Sequence, residues 1–245
     1  MKWVQSGMVH SSFTYDTNFH PGYVVGMVSV VAESRRTEFV EQIVALAGDK
    51  SVVWDFDGVI ADTEPLQDAS YRILAERRAW ELPDGYFSTL IGRTEDDIWE
   101  LLLAQGFPHS THQFGSTADE LKAERKVVFS DLAHAGLRPS WLAQQLMPAL
   151  HKVASEQIIV SNGDPDIIES LIGGWGLVPY VEIARRSPGT DKAALLGQRC
   201  GVGSILLEDN AGWLARGKAL GATTVGVVHG YNSVDELDAD FFVEI

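Results

Sequence analysis

Val52-Val53-Trp54-Asp55-Phe56-Asp57-Gly58-Val59 is the stretch that decides how this chain folds. An apolar run leads straight into two carboxylates spaced two apart, and a glycine follows at once. The run predicts a buried strand with the acidic pair at its C-terminal end. Core packing does not explain a carboxylate there, because an unpaired buried charge is costly. In open α/β sheets the C-terminal ends of the strands are where sites form. The pair offers an oxygen nucleophile, an acid/base and a site for a hard metal ion, the parts that phosphoryl transfer uses.

Three more runs have the same look: Ile158-Ile159-Val160, Ile205-Leu206-Leu207 and Val225-Gly226-Val227-Val228. They are short, apolar and do not alternate, as in parallel strands buried on both faces. The first three runs end in Asp55, in Ser161-Asn162-Gly163 and in Glu208-Asp209-Asn210. Helix-length segments separate them: Asp166 to Gly173, Asp191 to Cys200 and Ala211 to Leu220. This rhythm predicts an α/β fold with a doubly wound parallel sheet. Its strand ends share one edge, which would bring Asp55, Asp57, Ser161 and Asp209 together.

Between the first and second runs lies a long insertion, residues 66–150, with no strand pattern. It reads as helices over Gln67–Ala79, Thr94–Gln105, Thr117–Asp131 and Ser140–His151, with Thr94 and Asp97 as a capping box. One helix returns the chain to the sheet, and the rest is expected to form a cap over the strand ends. The expected core is residues 51–65 and 151–245. Residues 1–50 read as an N-terminal extension of unclear role. Within it, Glu33 to Leu46 has the spacing of an amphipathic helix, with Phe39, Ile43, Val44 and Ala47 on one side.

The composition is that of a soluble globular protein: 245 residues, 45% hydrophobic and 22% charged. A net charge of −15 counts against nonspecific binding to nucleic acid or to an anionic membrane. A phosphate site in such a field needs a bound cation and a few well-placed Lys or Arg residues. The single cysteine, Cys200, allows no internal disulfide and fits a reducing compartment. No apolar run reaches membrane-spanning length, and Val24 to Val31 lies too far in for a signal peptide. The expected location is the cytoplasm.

Taken in order, Asp55-Phe56-Asp57-Gly58-Val59, Ser161-Asn162-Gly163, a downstream lysine and Glu208-Asp209-Asn210 resemble the four motifs of the haloacid dehalogenase (HAD) superfamily. Asp55 to Leu66 and Leu207 to Gly212 resemble its phosphatase and β-phosphoglucomutase branch in particular, and the helical insertion matches that branch's cap. The resemblance runs from about Ser51 to the C-terminus. It implies a HAD-like Rossmannoid core, Mg²⁺ as cofactor and a small phosphorylated metabolite as partner. A monomer or simple homodimer is expected.

The resemblance also implies roles. Asp55 is the expected nucleophile, forming an aspartyl-phosphate. Asp57 is the expected acid/base and lends its backbone carbonyl to the metal. Asp209 completes the Mg²⁺ site, with Glu208 as ligand or support. Gly58 allows a tight turn beside the phosphate, and Ser161 and the Asn162 backbone N–H are expected to bind phosphoryl oxygens. Glu64 and Thr63 lie where core meets cap, as hinge or substrate-facing residues. Arg93 is a candidate substrate residue on the cap.

Two places depart from the pattern. The branch's Lys-Pro-x-Pro-Asp run is absent, and Arg185-Arg186-Ser187-Pro188-Gly189-Thr190-Asp191-Lys192 stands in its region. Lys192 is favoured for the phosphate- and Asp55-facing cation, with Arg186 as the alternative. Trp213 occupies the place of a second aspartate found in many members, and the adjacent Glu208-Asp209 pair is the alternative arrangement. His109 and His112 read as surface histidines, and Gly173-Gly174-Trp175-Gly176 reads as a helix C-terminus rather than a phosphate loop.

The first functional expectation is a Mg²⁺-dependent phosphatase. A sugar phosphomutase of the same branch is the alternative. The resembling mutases carry a histidine where this chain has Gln67, which favours hydrolysis. A dehalogenase would need neither Asp57 nor the Glu208-Asp209 pair. A non-catalytic scaffold would have no physical reason to keep buried like charges.

Overall fold

The structure is a computed structural model that describes residues 25–81, 95–104, 118–187 and 190–245. By its internal contacts the chain divides into two units, Met1–Glu38 and Phe39–Ile245. Helix α1, Val25–Leu46, runs through the division and begins earlier than the sequence pattern predicts. The opening turns of α1 are the described part of the first unit. The second unit contains the sheet and its helices. Ile43 and Ala47, on the face expected to be apolar, are fully buried in its core.

The sheet has six parallel strands: β1 Ser51–Trp54, β2 Glu156–Ile159, β3 Glu182–Ile183, β4 Ser204–Glu208, β5 Thr223–Val228 and β6 Phe241–Glu244. Their order is β3-β2-β1-β4-β5-β6. The four expected strands are β1, β2, β4 and β5. The other two are edge strands that carry little pattern. β3 is two residues long, and in β6 only Val243 is buried.

Alternate strand residues feed opposite cores, which explains the unbroken apolar runs within the inner strands. Val52, Trp54, Ile159, Ile205 and Leu207 join one cluster, and Val53, Ile158, Val160 and Leu206 join the other. The first face is covered by the end of α1, by α5 (Trp141–Leu150) and by α6 (Pro165–Gly174). The second is covered by α7 (Lys192–Arg199) and α8 (Ala211–Ala219), through Leu195, Leu196 and Trp213.

Between β1 and β2 run α2 (Glu64–Arg77), α3 (Glu95–Ala104), α4 (Ala118–Gly136) and α5. Pro65 sits in the first turn of α2, where its missing N–H is no loss. Tyr71, Leu74, Trp99, Leu102 and Leu121 give α2, α3 and α4 a small core of their own. The expected helix over Thr94–Gln105 is described from Glu95, so its proposed cap Thr94 lies outside the described residues, as do His109 and His112. α5 belongs to the sheet. Ser140 caps it, accepting from the Ala143 N–H at 3.1 Å, and donates to the Val59 carbonyl at 2.8 Å. That hydroxyl therefore joins the returning helix to the turn after β1.

Capping fixes where the remaining helices begin. Asp164, Asp191 and Asn210 each accept backbone N–H groups at the starts of α6, α7 and α8. The Gly-Gly-Trp-Gly run ends α6 as the sequence predicts, with Gly176 left-handed at φ +72°.

Leu146 is fully buried in the core cluster that joins α5 to the sheet. Leu146→Ala is expected to lower the unfolding free energy by about 2–5 kcal/mol. Urea denaturation measures this, and a loss under about 1 kcal/mol would show that the helix is not held by this core.

Candidate active site

The strand order reverses between β1 and β4, and a crevice at such a switch point is the natural place for a site. Register sets its level. Trp54 is paired with Ile159 of β2 and with Leu207 of β4. The next residues, Asp55, Val160 and Glu208, therefore emerge together at the sheet's C-terminal edge. Asp55 N–H still donates to the Leu207 carbonyl at 2.9 Å, so the carboxylate stands on rigid backbone.

Asp55 is 6% exposed. Lys192 Nζ lies 2.7 Å from its Oδ2, and the Phe56 N–H donates to Oδ1 at 2.8 Å. The same ammonium donates to Glu208 Oε2 at 2.8 Å, and the Asn210 N–H reaches Glu208 Oε1 at 3.2 Å. Burial pushes the Asp55 carboxyl well above its ordinary pKa and Glu208 adds to the rise, with Lys192 opposing. Burial and Asp209 likewise raise Glu208 against the pull of Lys192. Burial works against the charged Lys192, yet Asp55 and Glu208 more than offset it and hold its pKa above the usual value. One cation thus serves a cluster with excess negative charge.

Of the two candidates for this cation, the structure brings Lys192 to Asp55. Asp191 caps α7, and Lys192 opens the helix pointing into the site, 2% exposed. Trp213 covers it, with Nζ 5.2 Å from the ring centroid, in cation–π range. Arg186 instead donates to the Asn162 and Gly163 carbonyls at 2.8 and 3.2 Å, bracing the loop after β2.

The turn after Asp55 is tight. Phe56 stacks on Trp175, and the Gly58 N–H donates to the Ala61 carbonyl at 2.9 Å. Gly58 has φ +70°, and a Cβ there would lie 2.1 Å from Asp209 Oδ2. Only glycine fits both the backbone and the space. Asp57 follows with its carboxylate held by two hydroxyls. Thr63 donates to Oδ1 at 2.6 Å, and Ser161 donates to Oδ2 at 3.1 Å. The Gly163 N–H in turn fixes the Ser161 oxygen at 2.8 Å.

Asp55, Glu208 and Asp209 each offer a carboxylate oxygen, all within 4.8 Å of one another. An all-oxygen donor set with surplus negative charge suits a hard divalent cation such as Mg²⁺. Asp57 adds no side-chain oxygen to this set, since Thr63 and Ser161 take its carboxylate.

A cavity of about 510 Å³ opens above these groups. Asn162, Glu64 and Gln67 line it with Tyr71, Arg125 and Phe129 of the helical insertion. Arg125 donates to Gln67 Oε1 at 2.7 Å. Burial, then Asp57 and Asp209, raise the Glu64 carboxyl to about 7. Arg93, the other expected substrate residue, lies outside the described residues.

Sequence reasoning missed His229 and Asn232, which follow β5. His229 Nε2 lies 2.8 Å from Asp209 Oδ2, and Asn232 Nδ2 donates to the Asp209 carbonyl at 2.9 Å. The rule that finds Asp55 at the end of β1 finds His229 too, because it is the polar residue ending another inner strand at the same edge.

Lys192→Met leaves Asp55 and Glu208 buried without their cation. The expected cost is about 3–5 kcal/mol of unfolding free energy at neutral pH, read by chemical denaturation. A change under about 1 kcal/mol would mean that the cluster does not depend on this ammonium.

No family profile matches the chain, and no curated protein matches it either. Solved structures do. CbbY from Rhodobacter sphaeroides, solved with xylulose-1,5-bisphosphate, superposes with a TM-score of 0.62 at 16% identity, covering 80% of this chain and 93% of its own. A HAD hydrolase of family IA, variant 3, from Entamoeba histolytica gives 0.60 at 19% identity, over 79% and 92%. YfnB from Bacillus subtilis, solved with magnesium, gives 0.54 at 15% identity, over 80% and 94%. The likeness at these identities is one of architecture: the parallel sheet, its strand order and the helical insertion after β1 make this a haloacid dehalogenase-like fold.

Proposed function

We propose that the chain is a Mg²⁺-dependent phosphatase that hydrolyses a small phosphorylated metabolite through an aspartyl-phosphate on Asp55. The observation that carries this reading is the environment of two carboxylates, Asp55 and Asp57. Asp55 is buried and held by Lys192 and a backbone N–H. Asp57, two residues on, is held by two hydroxyls and faces the same cavity. One is fixed for attack and the other for proton transfer.

In the first step an Asp55 oxygen forms a bond to phosphorus, and the bond from phosphorus to the ester oxygen breaks. Asp57 gives its proton to that departing oxygen. In the second step a water molecule attacks phosphorus, Asp57 takes its proton, and the acyl-phosphate bond breaks to free phosphate and restore Asp55. Ser161 turns its hydroxyl from Asp57 to a phosphoryl oxygen, and the Asn162 N–H supplies a further donor. Lys192 sits beside the attacking carboxylate, where it balances phosphate charge.

Asp55, Glu208 and Asp209 would hold Mg²⁺, with the Asp57 carbonyl completing the protein's share. The ion would supply charge neutralisation, keeping Asp55 ionised beside an anionic substrate. Two of the structural neighbours accord with this chemistry. CbbY was solved with phosphate and with a phosphorylated sugar, and YfnB with magnesium.

The phosphomutase alternative uses the same first step but returns the phosphate to a second hydroxyl. Gln67, whose amide is bonded to Arg125, stands where the resembling mutases carry histidine. That substitution favours water as the acceptor. The protein is read as cytoplasmic, and among the described residues no helix is long and apolar enough to cross a membrane.

Turnover of an aryl phosphate tests the reading. Activity is expected to vanish in EDTA and return with Mg²⁺, and Asp55→Asn is expected to lower kcat by at least about a thousandfold. Full activity in EDTA, or in Asp55→Asn, would refute it. Interconversion of sugar phosphates with little phosphate release would favour the mutase.

A further inference from the structure

The loop after β5 does more than connect two strands. Its His229 side chain is 9% exposed, and its Nε2 lies 2.8 Å from Asp209 Oδ2. The Tyr231 N–H donates to His229 Nδ1 at 3.2 Å. With Nδ1 accepting, the ring proton sits on Nε2 and points at the Asp209 carboxylate. The Tyr231 ring packs edge-on against the imidazole, centroids 5.4 Å apart.

Asn232 closes the arrangement. Its side-chain oxygen accepts from the His229 N–H at 2.9 Å. Its amide donates to the Asp209 carbonyl at 2.9 Å and to the Val227 carbonyl at 3.0 Å. The loop thus grips Asp209 by both side chain and backbone. Gly58 stands beside the same pair, where a Cβ would meet Asp209 Oδ2 at 2.1 Å and His229 Nε2 at 2.9 Å. The turn after β1 and the imidazole after β5 thus meet at one carboxylate oxygen, which the absence of a side chain at Gly58 leaves open to the imidazole.

We infer that His229 is a positioning residue for Asp209, holding that carboxylate in the orientation in which it joins Asp55 and Glu208 around a divalent cation. The role rests on the reading of the site as a cation site. His229 is not one of the cluster's donors: among the described residues, Asp55, Glu208 and Asp209 are the ones whose ligand atoms all lie within 4.8 Å of one another, and no histidine nitrogen joins them. It acts through one of them. A hydrogen bond to a ligating carboxylate removes its freedom to rotate away, so the cation need not pay for ordering it.

The test is Mg²⁺ binding by calorimetry to the intact wild-type chain and to its His229→Ala, His229→Gln and Asp209→Ala variants. His229→Ala is expected to weaken binding by ~10–100-fold, while His229→Gln, whose amide N–H reaches the same oxygen, stays within about threefold of wild type. Asp209→Ala loses measurable binding. Unchanged affinity in His229→Ala overturns the positioning role and leaves the cation site standing, as does His229→Gln binding as weakly as His229→Ala. A wild type that does not bind Mg²⁺ overturns the cation site, and the role of His229 falls with it.

Discussion

A single buried ammonium, Lys192, lying between Asp55 and Glu208, is the interaction on which the site depends. The two carboxylates come from β1 and β4, neighbours in the sheet but far apart in sequence, and the lysine comes from the start of α7. Burying two like charges side by side is costly, and a buried cation bonded to both makes it tolerable. The contact therefore joins three elements at one point. It leaves two buried carboxylates on one ammonium, and burial, with repulsion from neighbouring carboxylates, raises both the Asp55 and the Glu208 carboxyls. The proposed function adds a divalent cation and an anionic substrate to this cluster.

The remaining groups are arranged around that point by local geometry. Gly58 turns the chain within a space that admits no side chain, which carries Asp57 around to face Ser161 and Thr63. Because Asp57 is held by hydroxyls rather than by an ammonium, its surroundings differ from those of Asp55. Two carboxylates two residues apart thus stand in different surroundings, as the proposed roles of nucleophile and acid/base require. The helical insertion closes over both and lines the cavity with Tyr71, Arg125 and Phe129.

Much of this was legible in the sequence because parallel strands buried on both faces leave uninterrupted apolar runs. Val52-Val53-Trp54 and Ile205-Leu206-Leu207 announce their strands, and the polar residues that follow announce the edge. β3 and β6 were not legible. Two residues carry no period, and a half-wet edge strand buries too little to show a pattern. The choice between Lys192 and Arg186 turned on a helix start that the Asp191 cap fixes by hydrogen bonding, which spacing alone does not settle. His229 ends a strand as Asp55 does, but its contact with Asp209 is made only by the pairing of β4 with β5. Contacts of that kind exist in the fold and not in the order of residues.

The central claim is that Asp55 carries the phosphoryl group during turnover. The most direct measurement is to mix the protein and Mg²⁺ with an aryl phosphate, quench in the pre-steady state, reduce with borohydride and map the peptides by mass. An aspartyl-phosphate is an activated acyl group and is reduced, so the account predicts homoserine in place of Asp55 and at no other position. Phosphate release with Asp55 unmodified at every time, or a phosphoryl group trapped on a different residue, would contradict it.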